Sequence, residues 1–475
     1  MINDIHNILQ QNCLIDQTKP LLLGISGGPD SLCLLDIMHK LGLSLIIAHV
    51  NHGLRQEADN DANQVTQIAD ELGIPFELGV VNVPEFAKAN MYSIEEAARV
   101  LRYRFLFTQG LKHNAQAVVV AHTADDQIET VLMHMIRGTG LAGLRGMEFR
   151  SLPNPWSTNI PLLRPLLSTW REKIQQYCIE NELQPIIDQS NLDKTFFRNR
   201  LRLDLIPYMQ NFNPAIKRIL WRTSQVLDGD FKLIDSLTAL AWENCVVDLG
   251  PGYIAYNYLF LKEQSPGLQR HLIRRGIAFL CPNRRDIDFN MIDQAVDFIK
   301  HHTQTHSKEL ALGLRLLAEI DKIWMVTSEA EPPSSDWPQI SEDVLNLPRS
   351  GILHLSQNWE IQVLSTTLAE AINNRAYANP DPYQTWIDED KIRSTLKIRH
   401  RHSGDRFQPL GMEGKSLKIT DFMINVKIPS RARNSWPLVC TDDDILWIPG
   451  YQLAHPFRLT QSTKRVLYLR LKRSS

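Results

Sequence analysis

The chain has 475 residues and a formal net charge of −2, with 43% hydrophobic and 22% charged residues. This length suggests about two to four domains rather than one core, and the near-zero net charge argues against a uniformly basic nucleic-acid binder. Because no signal-peptide pattern follows Met1 and no apolar stretch has membrane-spanning length, we expect a cytoplasmic protein that has no membrane partner.

Short apolar runs alternate with helical patterns over the first 210 residues, which is typical of a parallel α/β sheet. Four predicted strands, rich in Leu, Ile or Val, cover residues 21–25, 44–50, 76–81 and 117–121. Because these runs lack strict alternation, we expect all four strands to be buried on both faces. Thr169 and Glu172 have the spacing of a capping box, which predicts a helix running to about Glu182.

A glycine-rich loop follows the first predicted strand and precedes a helical pattern. The loop consists of Ser26, Gly27, Gly28, Pro29, Asp30 and Ser31. In this frame several backbone N–H groups converge and favour an anion, although an ordinary strand-to-helix turn uses the same residue types. Asp30 stands where a Walker loop carries its lysine, so this is a different phosphate loop. It resembles the PP-loop of the ATP pyrophosphatase family, and the resemblance implies that the loop binds ATP.

Polar clusters follow the second and fourth predicted strands, at the sheet edge where ligands bind in open parallel sheets. They span residues 49–55 and 122–130. In the second cluster, Asp125 and Asp126 fall in the first turn of a helix, where capping is the alternative to a catalytic role. The PP-loop resemblance also implies transfer of an adenylyl group from ATP, which needs a divalent ion. Because Mg²⁺ takes one or two carboxylates, we expect Asp30 and Asp126 to hold it. His122 either faces the same site or closes the strand.

Two basic segments, residues 198–222 and 391–406, are candidates for contacts with phosphates. In the first, Arg198 and Arg202 can clamp phosphates and Asn199 can add a directional hydrogen bond. In the second, the candidates are Arg401 and Arg406. A solvated charged face is the alternative for both segments, and a helix start that docks the next domain is a further alternative for the first.

We predict three domains in a chain of α/β class. Residues 1–212 form a parallel-sheet domain that carries the PP-loop, residues 213–347 form a largely helical domain, and residues 385–475 form a small α+β domain. The last domain is predicted to end in a strand at residues 466–469.

Motifs in residues 1 to about 209 and about 390 to 475 resemble the tRNA(Ile)-lysidine synthetase family, and the helical middle matches in position and length more than in motif. In the amino-terminal part they are the PP-loop, the segments at 49–55 and 122–130, Glu96-Ala97-Ala98-Arg99 with Arg102-Tyr103, Asp188-Gln189-Ser190-Asn191, and the arginine-rich segment at 197–202. Residues 402–412 and Trp447-Ile448-Pro449-Gly450 are similar to the carboxy-terminal domain of that family.

This resemblance implies that ATP adenylates the C2 oxygen of the wobble cytidine in the isoleucine tRNA with a CAU anticodon. The amine of free L-lysine then displaces AMP and leaves lysidine. By resemblance, Arg102, His122 and Asp126 lie near the reacting atoms, although a surface ion pair is the alternative for Arg102. The helical and carboxy-terminal domains are expected to hold the tRNA.

Two other functions remain open at this point. A related PP-loop tRNA thiolase is one, but many thiolases use a CxxC pair and none of the six cysteines forms one. A nonenzymatic RNA-binding protein with an ATP-binding fold is the other, and the intact Asp30 and Asp126 argue against it. A monomer and a homodimer are both compatible with a partner as large as tRNA.

Overall fold

The computed structural model describes residues 1–12, 16–53, 58–186, 192–282, 287–301, 307–319, 321–334, 337–374, 376–412 and 414–474. The chain divides into two compact units, Met1–Ser236 and Leu237–Ser475. None of the helices in the described ranges is long and apolar enough to cross a membrane.

The first unit is built on a six-stranded sheet with the strand order β3-β2-β1-β4-β6-β5. Its strands are β1 Leu21–Gly24, β2 Leu45–Asn51, β3 Phe76–Val80, β4 Ala117–Val120, β5 Arg150–Ser151 and β6 Leu162–Leu163. All neighbours are parallel except β5, which runs antiparallel to β6. The predicted α/β class is therefore confirmed, and the two short strands β5 and β6 were not predicted.

The first unit has helices on both faces of this sheet and further helices beyond it, the last of which continues into the second unit. They are α1 Ile2–Asn12, α2 Pro29–Lys40, α3 Ala58–Leu72, α4 Val83–Asn90, α5 Ile94–Lys112, α6 Ala124–Arg137, α7 Leu141–Leu144, α8 Arg171–Glu180, α9 Phe197–Arg200, α10 Ile206–Phe212 and α11 Ile216–Cys245, with a π-helical turn at Leu201–Leu205. Leu21 and Leu23 pack into one core cluster and Leu22 into another, because successive side chains of a strand point to opposite faces.

Two local predictions in this unit are wrong. Strand β3 lies at the edge of the sheet, where Leu78 is 46% and Val80 is 74% exposed, so it is not buried on both faces. Helix α8 begins after Trp170, whose side chain makes no capping hydrogen bond, so Thr169 and Glu172 do not form the predicted capping box.

The second unit begins with helices around a five-stranded antiparallel sheet. The helices are α12 Tyr258–Glu263, α13 Pro266–Leu280 and α14 Phe289–His301, and the strands are β7 Val246–Gly250, β8 Tyr253–Asn257, β9 Ser307–Leu310, β10 Leu314–Ala318 and β11 Lys322–Thr327. The strand order is β7-β8-β11-β10-β9, and Ile273, Ile292 and Met325 share one core. Helices were predicted here, whereas the sheet was not.

The carboxy-terminal part has a second core that extends from Trp337 to Leu471. Its strands are β12 Val344–Asn346, β13 Gly351–His354, β14 Trp359–Thr367, β15 Gln384–Asp388, β16 Lys397–Arg399, β17 Arg406–Phe407, β18 Leu417–Lys418, β19 Leu438–Cys440, β20 Ile445–Ile448, β21 Gln452–Leu453 and β22 Arg465–Arg473, and its helices are α15 Leu368–Asn373 and α16 Ile419–Asn425. The predicted last strand is present, in longer form, as β22. This core starts well before residue 385, and the boundary between the two units falls inside α11, so neither coincides with the predicted domain limits.

Candidate active site

The PP-loop joins β1 to α2 at the carboxyl edge of the parallel sheet. Gly27 has φ +86°, and a Cβ on it would lie 2.3 Å from Cδ1 of Ile186, so both conformation and space require glycine. The Ser31 hydroxyl donates to the Gly28 carbonyl at 2.9 Å and accepts from the Ser26 amide at 3.3 Å. Gly28 caps α2 without a capping side chain, Pro29 has no amide hydrogen, and the Ser31 amide donates to the Gly28 carbonyl at 3.1 Å. Within this first turn, the Asp30 amide is therefore the group that can meet an anion.

The first polar cluster, at the end of β2, supports the PP-loop. Buried His49 places Nδ1 at 2.8 Å from the carbonyl oxygen of Ile25, next to the loop. Asn51 donates to Asp59 at 2.7 Å and accepts from the Gly53 amide at 2.9 Å, which shapes the turn after the strand. Residues 54 and 55 of this motif and the motif at 188–191 lie outside the described residues.

The second polar cluster opens α6 directly after β4. Thr123 caps this helix, and its amide and hydroxyl both donate to Oδ2 of Asp126, at 2.8 and 2.9 Å. Asp126 therefore completes a capping box with one oxygen while Oδ1 points elsewhere. Asp125 does not cap α6 with its carboxylate: it accepts from the Arg171 amide at 2.9 Å and forms an ion pair with Lys217.

Three arginines converge on Asp126. Oδ1 of Asp126 lies 3.1 Å from Arg198 Nη2, 3.7 Å from Arg202 Nη2 and 3.9 Å from Arg171 Nη2. The same Nη2 of Arg171 also donates to Oδ2 of Asp30 at 3.3 Å. A single guanidinium group thus links the PP-loop carboxylate to the carboxylate that opens α6.

Glu129 holds two of these arginines in place. It is 1% exposed and accepts from Nε of Arg198 and Nε of Arg202, both at 2.6 Å. Asp126 and Glu129 lie three residues apart on α6, and Arg198 and Arg202 four residues apart, so each pair shares a helix face. This spacing is the sequence signal that could have identified Glu129, which lies in the polar cluster at 122–130.

The charges of the site shift its pKa values in opposite directions. Burial raises the pKa of Asp126, but Arg198, together with the Thr123 amide and Arg171, outweighs it and lowers this pKa to about 2. Burial raises the pKa of Asp30, with Arg171 opposing the rise. Burial lowers the pKa of His122 well below its ordinary value, and neighbouring Arg164 lowers it further. The site therefore combines an ionised Asp126 with a neutral imidazole.

Comparisons with known proteins fit this arrangement. A family model described as a PP-loop domain matches residues 2–209, and one described as the TilS substrate C-terminal domain matches residues 396–471. The tRNA(Ile)-lysidine synthase of Dehalococcoides mccartyi is 32% identical over 471 residues, which cover 97% of this chain and 96% of that protein. The chain belongs to the tRNA(Ile)-lysidine synthase family.

A second tRNA(Ile)-lysidine synthase agrees with this assignment. The tRNA(Ile)-lysidine synthase of Clostridium tetani is 31% identical over 481 residues, which cover 99% of this chain and 98% of that protein. Among solved structures, the U34-tRNA thiolase NcsA from Methanococcus maripaludis matches 48% of this chain and 78% of its own, at 19% identity and a TM-score of 0.40. As a member of this synthase family, the chain is a ligase that forms a carbon–nitrogen bond, and its PP-loop domain binds ATP.

The predicted catalytic residues of this ligase lie on neighbouring elements. His122 and Asp126 flank the start of α6, and Arg102 on α5 adds to the positive charge that lowers the pKa of His122. Arg171 was missed by the sequence analysis, because it lies 141 residues from Asp30 and belongs to no local motif.

The predicted tRNA contacts fall in two places. In the first unit, Arg198 and Arg202 bind carboxylates of the site, and Asn199 is buried and donates to the carbonyl oxygen of Asp193 at 2.8 Å. In the second unit, Arg401 donates to Asn434 at 2.7 Å and Arg406 to Ser416 at 2.8 Å. A direct contact of these five residues with tRNA stays a prediction.

Proposed function

We propose that this ligase adenylates the C2 oxygen of the wobble cytidine in the isoleucine tRNA with a CAU anticodon. The amine of free L-lysine then attacks C2, the bond from C2 to the adenylyl oxygen breaks, and AMP leaves. The observation that carries the proposal is the link through Arg171 between Asp30 of the PP-loop and Asp126. It brings the phosphate site and the candidate catalytic carboxylate into one centre.

The first step transfers charge to the departing pyrophosphate. The cytidine oxygen attacks the α-phosphate of ATP, the α–β bond breaks, and pyrophosphate carries the electrons away. We propose that the Asp30 amide at the start of α2 and the guanidinium of Arg171, which donates to Asp30, stabilise that charge. Residues 26–31 are thus proposed as the ATP-binding residues.

We propose that Mg²⁺ takes part in the reaction, and the carboxylate oxygens of the site fit this ion in part. Oδ1 of Asp30 is buried and has no hydrogen-bond partner in the described structure, as expected of an oxygen that takes a cation. No group of three His, Cys, Asp or Glu among the described residues can hold a metal ion by itself, so phosphate oxygens would complete its ligands. Asp126 can join only if Arg171 and Arg198 give way. When bound, the ion neutralises phosphate charge.

The second step needs a neutral amine and an undisturbed adenylate. The lysine ammonium has a pKa of about 10.4, so a proton must leave before the amine attacks. His122 is held neutral, which lets it donate or accept a hydrogen bond at the reacting base without adding a charge. Arg102 is proposed to contact the ATP or adenylate phosphate.

The tRNA is proposed to contact both units. Arg401 and Arg406 are the stronger candidates, since their present partners are the neutral groups of Asn434, Thr420 and Ser416. For Arg198, Asn199 and Arg202 a phosphate contact would be additional to the internal contacts described above. A monomer and a homodimer remain open, and light scattering with and without tRNA distinguishes them.

The function is tested with unmodified isoleucine tRNA, ATP and labelled L-lysine. We expect label in the tRNA together with release of AMP and pyrophosphate. Asp126→Asn should abolish pyrophosphate release while the tRNA Kd stays within about twofold of the native value. Absence of label, AMP and pyrophosphate with the native protein would refute the proposal, and equal loss of adenylation and tRNA binding would make Asp126 structural.

A further inference from the structure

The five-stranded sheet of the second unit buries its two faces against different parts of that unit. On β11, Ile323 and Met325 join the core formed with α13 and α14, whereas Trp324 points to the opposite face. Trp324 is fully buried, and the guanidinium carbon of Arg431 lies 5.1 Å from the centre of its ring. Because Arg431 follows α16, the carboxy-terminal part of the chain reaches this second face of the sheet.

The guanidinium group of Arg431 has partners in three places. Its Nε lies 2.5 Å from Oε1 of Glu319, which directly follows β10. Its Nη1 donates to the carbonyl oxygens of Pro332 and Pro333, at 2.9 and 3.0 Å, in the segment that leads from the sheet to the carboxy-terminal core. Its guanidinium carbon also lies 4.3 Å from the ring centre of Trp337, the first residue of that core. One side chain thus contacts the sheet, the connecting segment and the carboxy-terminal core.

Both carboxylate oxygens of Glu319 take part in this contact. Oε1 meets Arg431, and Oε2 accepts from Nε1 of Trp324 at 2.8 Å. The Glu319 side chain is 10% exposed and that of Arg431 is 21% exposed, so water and salt screen the pair less than a surface pair. Removing either charge leaves the other largely buried without this counter-charge. The Arg431 clamp, which consists of Glu319, Trp324, Trp337 and Arg431, therefore favours one arrangement of the sheet and the carboxy-terminal core.

The turn that carries Arg431 also supports Arg401. This turn covers residues 430–435. Its Asn434 accepts, through Oδ1, from Nε of Arg401 at 3.1 Å and from Nη2 of Arg401 at 2.7 Å. Within the turn, the Ser435 amide donates to the carbonyl oxygen of Ala432 at 3.2 Å. A short, internally bonded stretch of backbone thus connects the Arg431 clamp to a candidate tRNA contact.

We propose that Arg431 is a positioning residue for tRNA binding: through the Arg431 clamp it fixes the turn that supports Arg401, and thereby the place where the carboxy-terminal core meets the tRNA. The inference rests on the proposed function, in which the tRNA contacts both units and Arg401 binds it. A ligand held at two places binds more tightly when both places are fixed beforehand, because less freedom is lost on binding. Arg431 itself is no phosphate contact, since Nε and Nη1 have partners in the protein and Nη2 is buried.

The test measures the Kd of the full chain for unmodified isoleucine tRNA at several salt concentrations. Arg431→Gln should raise this Kd about three- to fivefold, because the contacts of Arg401 and its neighbours are no longer fixed before binding. The slope of log Kd against log salt should stay native, because no phosphate contact is lost. At saturating tRNA, kcat should stay native, as should the KM for ATP. Glu319→Gln, which breaks the Arg431 clamp from the sheet side, should raise Kd by the same factor.

Two comparisons separate positioning from general damage to the fold. Adding Arg431→Gln to a chain that already carries Arg401→Gln and Arg406→Gln should raise Kd no further, because Arg431 acts through those contacts. Glu331→Gln is the matched control. This carboxylate pairs with Arg315 at 2.7 Å but is 73% exposed and lies outside the Arg431 clamp, so the tRNA Kd should not change.

Three results would overturn the inference. The first is a native Kd in both Arg431→Gln and Glu319→Gln. The second is a flatter salt slope for Arg431→Gln, which would make Arg431 a direct phosphate contact. The third is a lower kcat at saturating tRNA, or a further rise of Kd in the triple variant, which would make its role purely structural. If the native protein did not bind this tRNA, the proposed function would fail instead.

Discussion

Residues 198–202 and 397–406 are both rich in arginine, yet the fold uses them differently. Arg198 and Arg202 meet Asp126 and Glu129, so their charge is neutralised beside the sheet edge. In the second segment Arg399 pairs with Asp405 at 2.7 Å, whereas Arg401 and Arg406 donate to uncharged groups. A run of basic residues is thus a poor guide to a nucleic-acid surface until the acidic partners are known.

The largest effect is expected from the loss of the Glu129 carboxylate, which pairs with the arginines of residues 198–202. Glu129→Gln removes the buried carboxylate that pairs with Arg198 and Arg202 and leaves both arginines with Asp126 as their remaining partner in the described structure. We expect the free energy of unfolding to fall by about 3–5 kcal/mol. Urea unfolding of the full chain measures it. The matched control is Asp204→Asn, which removes an exposed pair with Lys194 and should change stability by less than about 1 kcal/mol. Equal losses of unfolding free energy in the two variants would contradict the expected difference between buried and exposed charge pairs.

Next in size is the effect of Arg171→Gln on ATP use. Removing the guanidinium that links Asp30 and Asp126 leaves two carboxylates without their shared cation, and kcat/KM for ATP should fall about 10- to 100-fold. Pyrophosphate release with saturating tRNA measures it. Lys173→Gln, an exposed change on the same helix, should have no effect. If Arg171→Gln weakened tRNA binding and spared ATP, Arg171 would belong with the tRNA contacts.

Acid should lower the free energy of unfolding by protonating Asp126, the partner of Arg198 and Arg202. Its folded-state pKa of about 2 lies below the ordinary value of 3.8, mainly because Arg198 outweighs the effect of burial. The carboxylate therefore contributes stability that is fully present above about pH 5 and is lost as the pH falls towards about 2. Unfolding free energies between these limits should fall less steeply for Asp126→Asn than for the native chain. Parallel pH profiles would contradict this assignment.

The smallest expected effect concerns the second segment. Replacing both Arg401 and Arg406 by Gln should weaken tRNA binding several-fold and reduce the slope of log Kd against log salt by about 1 to 2, because each phosphate contact releases counterions. Pyrophosphate release at saturating tRNA should not change. Binding titrations at several salt concentrations measure this slope. An unaltered slope would show that Arg401 and Arg406 only stabilise their turns, through Asn434 and Ser416.

Local patterns predicted the elements that carry most of the site. Strands β1, β2 and β4 are continuous apolar runs, and the PP-loop follows β1 with the glycine that its φ of +86° requires. The sheet of the second unit was missed even though β11, Lys322–Thr327, is an apolar run, because the helical pattern near the start of residues 213–347 was extended to the whole segment. Strand β6 is only Leu162–Leu163 and is too short to show any period.

The sequence by itself determined the PP-loop, the candidate roles of Asp30, His122 and Asp126, and the family resemblance that the comparisons confirmed. Those signals are contiguous, and short-range backbone chemistry dictates them. Only the tertiary structure showed that Arg171 joins the two carboxylates and that Glu129 holds Arg198 and Arg202. These depend on which charges meet at the sheet edge, and charge pairing between segments far apart in the chain has no periodicity for a sequence pattern to reveal.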